Sequence, residues 1–140
     1  MKYLALAFAL LLSSVGFAQI DSQVRYHSGH RQFYQWSAEK QDYELKDDEY
    51  ETSVIDVREI NSNRNGYVVL SLTDDGKTRM YHGSITGFKK DGDQDVWALR
   101  SKILKSKLVF DPKKKNIIYS FEAADDRYMK IFIFDISQEY

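Results

Sequence analysis

The chain has 140 residues, with 20 Lys and Arg against 21 Asp and Glu, and no cysteine. This balance calls for neither nucleic acid nor an anionic membrane as partner, and the missing thiols exclude disulfide staples, thiol chemistry, cysteine zinc sites and a lipidated N-terminal cysteine. One proline and seven glycines exclude collagen-like and proline-rich architectures.

Met1-Lys2 makes a short positive start, residues 3–12 are almost continuously apolar, and small residues follow, with Gly16 and Ala18 where a signal peptidase reads. Residues 1–18 therefore read as an export signal cut before Gln19, and the apolar run is too short to be membrane-spanning. Residues 19–140 remain as a single β-rich domain, large enough to bury one core without staples. The sequence holds no Asn-x-Ser/Thr acceptor. This favours a bacterial exported protein, periplasmic or extracellular, over a eukaryotic secreted one.

Past the leader the hydrophobic period is mostly two. Residues 31–36 read as the first strand. Residues 37–45 are the best helix candidate, with Ser37 as cap, but a strong apolar stripe is missing. Residues 38–51 have only Tyr43, Leu45 and Tyr50 as anchors, and read as a mobile flap or as a short hidden element. Within them, residues 42–51 hold six acids and one lysine.

Alternation resumes over 53–60 and 67–72, with Asn65-Gly66 as the turn between and 61–64 lengthening the loop. Asp75-Gly76, between 67–72 and 79–83, is a strong hairpin signal because glycine accepts the positive φ the turn needs. Further strands fall at 95–101, 105–111 and 117–121, with Asp111-Pro112 opening a turn. Residues 100–115 hold seven basic side chains and one acid, which suits solvated faces and turn tips better than a polyanion strip. The last strand, 128–136, is apolar on both faces and so reads as central. The sum is an all-β domain of about eight antiparallel strands, a small barrel or a two-sheet sandwich.

Chemical motifs are sparse. His27-Ser28-Gly29-His30 can turn two imidazoles inward, with His82 as a third ligand, but the helical frame of a zincin is absent. Asp91-Gly92-Asp93-Gln94-Asp95 is similar to the opening of a calcium loop, yet Val96 stands in the glycine position and Lys102 in that of the closing glutamate. An acidic hairpin turn explains the same residues. Ser28 lacks the glycine of a nucleophile elbow. His82 and Ser84 share a strand face, and Asp56 is the one carboxylate to nominate as their orienting partner. These residues select no catalytic group, resident metal or cofactor.

The aromatic content is the stronger signal, with two Trp, ten Tyr and eight Phe. Tyr34 and Trp36 share one face of the first strand, and Trp97 lies on a middle strand. Such rings fill a core or line a ligand pocket. The early Tyr34-Gln35-Trp36 followed by an antiparallel meander resembles the lipocalin plan in general layout. That resemblance implies an eight-stranded barrel around a small apolar ligand. Tyr34 stands where lipocalins carry the glycine of Gly-x-Trp, the chain is shorter, and the family's C-terminal helix is missing.

The expectation is an exported, non-catalytic binding protein for a small apolar or glycan ligand or an envelope protein partner, with Tyr34, Trp36 and Trp97 as ligand-contacting aromatics. One alternative is a small hydrolase, metal-assisted through His27, His30 and His82. Another is an assembly protein that pairs through a sheet edge.

Overall fold

The computed structural model describes residues 22–136 except residue 103, so the expected leader lies outside the described residues. The described residues form ten strands joined by turns, without a helix. In chain order these are β1 (Ser22–Ser28), β2 (His30–Ser37), β3 (Asp42–Glu49), β4 (Ser53–Ile60), β5 (Ser62–Asp74), β6 (Lys77–Asp91), β7 (Gln94–Ser101), β8 (Leu104–Asp111), β9 (Asn116–Ala124) and β10 (Arg127–Asp135). All belong to one antiparallel sheet, ordered β1-β4-β5-β6-β7-β8-β9-β10-β2-β3 and curled into a half-barrel. None of the described residues forms a helix long and apolar enough to cross a membrane.

The ten segments follow eight strand paths. Only Gly29 separates β1 from β2, and residues 50–52 separate β3 from β4. Pairing continues across these breaks, with Ser28 opposite Ser53 on one side and Arg31 opposite Glu49 on the other. At the breaks the lateral neighbour changes: β4 leads on to β5, whereas β2 leads on to β10. Two kinked strands thus carry the chain to both ends of the sheet order.

The expected helix at 37–45 is instead the β2–β3 hairpin. Ser37 Oγ does accept a backbone N–H, from Lys40 at 3.2 Å, but in a turn. Glu44 on β3 sits between Lys40 and Lys46, whose hydrogen bonds hold its carboxyl down at about 2. The irregular stretch 38–51 therefore contains a full strand. Its polarity follows from its place at the sheet edge, where charged side chains discourage pairing with other chains.

Asp75 and Gly76 adopt φ of 51° and 75° in the β5–β6 hairpin, as the Asp-Gly step requires. Asn65-Gly66 has a different task. The β4–β5 turn is at Asn61, and Gly66 faces Glu59 where the register slips. A Cβ on Gly66 would stand 1.9 Å from the Arg58 carbonyl oxygen, so the glycine permits a backbone approach rather than a turn.

Alternate residues of the middle strands form the core, among them Ile55, Val68, Leu70, Leu108, Ile117 and Phe134, each fully buried. β10 has partners on both edges, and Phe132 and Phe134 point into this core. Beyond β8, Asp111 closes the turn to β9. Its carboxylate accepts N–H groups from Lys113 and Lys114 at 3.0 and 3.1 Å and the Gln94 amide at 2.9 Å.

These hydrogen bonds, from the Lys114 amide first and then Gln94, hold the Asp111 carboxyl below its ordinary range. A lowered folded-state pKa gives stability that is complete above the unfolded value and is lost as pH falls through the folded one. We expect the stability advantage of the native protein over Asp111→Asn to be constant above about pH 5 and to shrink below about pH 4. Urea unfolding of both proteins across that range checks it; a gap that ignores pH contradicts this role.

Candidate functional site

A cavity of about 320 Å³ opens on the concave face of the sheet. Its position follows from β2, where period-two alternation sends Arg31, Phe33 and Gln35 inward. Phe121 of β9, Phe132 of β10, and Leu72 and Tyr81 of β5 and β6 complete an apolar floor. The rings hold one another: Phe33 lies 4.9 Å from Phe132, Phe121 stacks on Phe132 at 5.6 Å, and Tyr81 lies 5.2 Å from Phe121. Fixed rings make a floor that needs little reordering to receive an apolar molecule.

The rim is ionised. Arg79 pairs with Asp74 at 2.9 Å and Lys130 with Glu122 at 2.9 Å. Deeper lies Arg31, a residue only 3% exposed, whose guanidinium binds three neighbours. Its Nη1 donates to Ser53 Oγ at 3.2 Å, its Nη2 donates to the Thr73 carbonyl at 2.6 Å, and it pairs with Glu49. One side chain of β2 therefore ties together β3, β4 and β5. The nearby carboxylates of Glu49, Glu51 and Asp74 lie within 4.8 Å of one another. Their charge is met by Arg31 and Arg79, and Glu51 also accepts the Asp75 N–H at 3.1 Å.

The residues singled out in the sequence lie elsewhere. Tyr34 and Trp36 alternate with the cavity residues and so occupy the opposite, convex face of β2. The Tyr34 hydroxyl donates to Gln32 at 3.1 Å. Trp36 is covered by the Arg127 guanidinium 4.0 Å from its ring and meets Tyr43 edge-on at 5.1 Å. Trp97 is 4% exposed, packs on Phe88, and donates its indole N–H to Glu59 at 3.2 Å. The structure brings these three aromatics to no common site.

Nor do the histidines converge. His30 pairs with Asp48 and stacks on Tyr50 at 4.4 Å. His27 lies on β1 and His82 on β6, three sheet steps apart, which at strand spacing is about 14 Å. Asp56 is two strands from His82, in one register row through Val69, and binds Arg25 at 2.7 Å instead. The sequence 91–95 is the β6–β7 hairpin turn, with Gly92 at φ 60°, Asp95 paired to Lys90 and Asp93 to Lys113.

Comparison of the chain with protein-family models, with curated proteins and with solved structures found no match. The site is thus defined by its geometry alone.

Removal of the buried guanidinium is expected to be costly, because Glu49, Ser53 and the Thr73 carbonyl lose their partner together. Arg31→Ala should lower unfolding stability by about 3–5 kcal/mol, and Arg31→Lys by less, since an ammonium keeps the charge without the fork. Urea midpoints at constant m-value measure this, and a loss below about 1 kcal/mol for the alanine variant contradicts the role.

Proposed function

We propose that the protein binds a small amphipathic molecule on the concave face of its sheet and acts after export, without catalysis. The observation that supports this reading is the cavity of about 320 Å³, where an aromatic floor meets an ionised rim. That volume lies within the range of small-molecule sites, and an apolar floor bordered by polar groups suits both parts of an amphipathic ligand. The apolar body of the ligand rests on Phe33, Phe121 and Phe132, and its polar part faces the Gln35 and Lys130 side of the mouth. The histidines and serines lack the mutual geometry of nucleophile, base and orienting acid, which favours binding over hydrolysis.

A second reading is assembly through a sheet edge. β1 has a neighbour on one side only, and it lacks the dense acids that guard β3. Concentration-dependent oligomers in sedimentation would support it.

The ligand reading predicts that N-phenyl-1-naphthylamine, a neutral apolar fluorophore, brightens on mixing with the protein. Gln35 is exposed at the mouth, so Gln35→Trp should fill the cavity, leave the circular dichroism unchanged and weaken the probe about tenfold or more. Absence of any fluorescence response in the native protein contradicts the proposal.

A further inference from the structure

The wall of the half-barrel is open along part of β6. From Lys77 to Ser84 this strand pairs with β5, but it pairs with β7 only from Ser84 onward, because β7 ends at Ser101. On that side residues 77–83 have no strand partner among the described residues. Across the opening β9 pairs with β8 only over residues 116–120, so residues 121–124 border the same gap.

A strand sends its N–H and C=O groups to alternate sides, so every second residue of 77–83 aims both groups into the opening. The backbone hydrogen bonds outside the strand ladders join Thr73 to Thr52 and Ile136 to Lys115, away from this segment. Native edges are guarded by charge, proline or short length. Here Lys77 and Arg79 guard one end only, and Arg79 is tied to Asp74 at 2.9 Å. Residues 80–83 carry neither an acid nor a proline.

The side chains around the opening are apolar and basic. A space of about 430 Å³ lies beside the edge, with Met80, Tyr81, Leu104 and Phe121 in its lining. Met80 is 65% and Leu104 48% exposed, and neighbouring open apolar side chains of this kind mark contact surfaces. Lys102 and Lys105 line the same space, and neither has an ion pair among the described residues. The acid in that lining, Glu122, is already bound to Lys130 at 2.9 Å.

We infer that this edge receives an extended, acidic segment of a partner protein, which adds to β6 as a strand along residues 77–83. The added backbone meets the open N–H and C=O groups in the line that β7 leaves vacant. Its side chains alternate between the two faces. Apolar ones on the inner face meet the Tyr81 and Phe121 rings, and carboxylates on the outer face meet the unpaired charge of Lys105. A second copy of the chain is a poorer occupant through β1, whose sequence has no acid to offer these lysines. The inference does not depend on the concave face holding a small molecule.

The probe is fluorescein-labelled acetyl-EVEVTVEVE-amide, with acetyl-KVKVTVKVK-amide as its basic counterpart. Fluorescence anisotropy should rise with the acidic peptide and not with the basic one. Lys105→Glu, at an exposed position, should leave the circular dichroism unchanged and weaken the acidic peptide about fivefold. Amide exchange followed by NMR reads the strand addition itself. Alternate amides of 77–83 should exchange fast in the free protein and slow by about tenfold or more when the acidic peptide is bound. Equal binding of the two peptides overturns the inference, as does the absence of binding at millimolar peptide. Binding that leaves these amides unprotected also overturns it. Protection of the same amides in the protein alone, growing with its concentration, assigns the edge to a second copy and overturns it too.

Discussion

The buried Arg31 guanidinium governs how this sheet curls. Its partners come from β3, β4 and β5, and its own strand is β2, so it joins segments from opposite ends of the sheet order. An apolar side chain of similar volume would accept many arrangements of neighbours. A planar fork accepts few, because each N–H must meet an acceptor in a set direction. Buried ion pairs add little net stability relative to well-packed hydrocarbon, since desolvation offsets most of the attraction. The contribution of Arg31 is positional: it specifies which strands meet at the kink next to Gly29, and the Thr73 amide reinforces the same junction by donating to the Thr52 carbonyl at 2.9 Å.

The cavity follows from unequal strand lengths around that junction. β5 and β6 have 13 and 15 residues, whereas β7 and β8 have 8 each. A short hairpin beside long strands cannot complete the wall. Stacked rings occupy part of the resulting space, with Tyr81 reaching across from β6 to Phe132 at 5.6 Å. The aromatic floor is held by its own edge and face contacts, each worth roughly 0.5–1.5 kcal/mol beyond burial, so it stays in place when the space above it is empty.

Much of this fold was legible in the residues. The Asp75-Gly76 hairpin, the alternating middle strands and the two-sided apolar last strand could be read from local chemistry. β1 and β3 could not, because each is an edge strand with one neighbour and therefore lacks a continuous apolar face. Ser37 illustrates a second limit: a serine hydroxyl accepts the same backbone N–H at a helix start as in a turn. The candidate site was hidden for a related reason. Period-two alternation separates the faces of β2 but does not say which is inside. Gln32, Tyr34 and Trp36 are the more aromatic set, yet Arg31, Phe33 and Gln35 line the cavity. The one available cue was an arginine two residues after Gly29, at a hinge where a charge can be buried only if several strands converge on it.

The charges around the cavity bear on what it selects. Arg31, Arg79 and Lys130 each face a carboxylate, of Glu49, Asp74 and Glu122 respectively, and Asp47 adds a further acid to the lining. The mouth therefore carries dipoles and a slight excess of negative charge rather than a free cation. Rim pairs as exposed as Arg79–Asp74 are worth no more than about 1 kcal/mol and can rearrange around a ligand at little cost. An anionic molecule would have to displace one of these carboxylates while facing the remaining ones, with Glu49, Glu51 and Asp74 grouped within 4.8 Å. A neutral amphiphile meets no such opposition. It can place polar atoms among the paired charges and its apolar part on the rings, so the floor and the mouth of the cavity favour the same class of ligand.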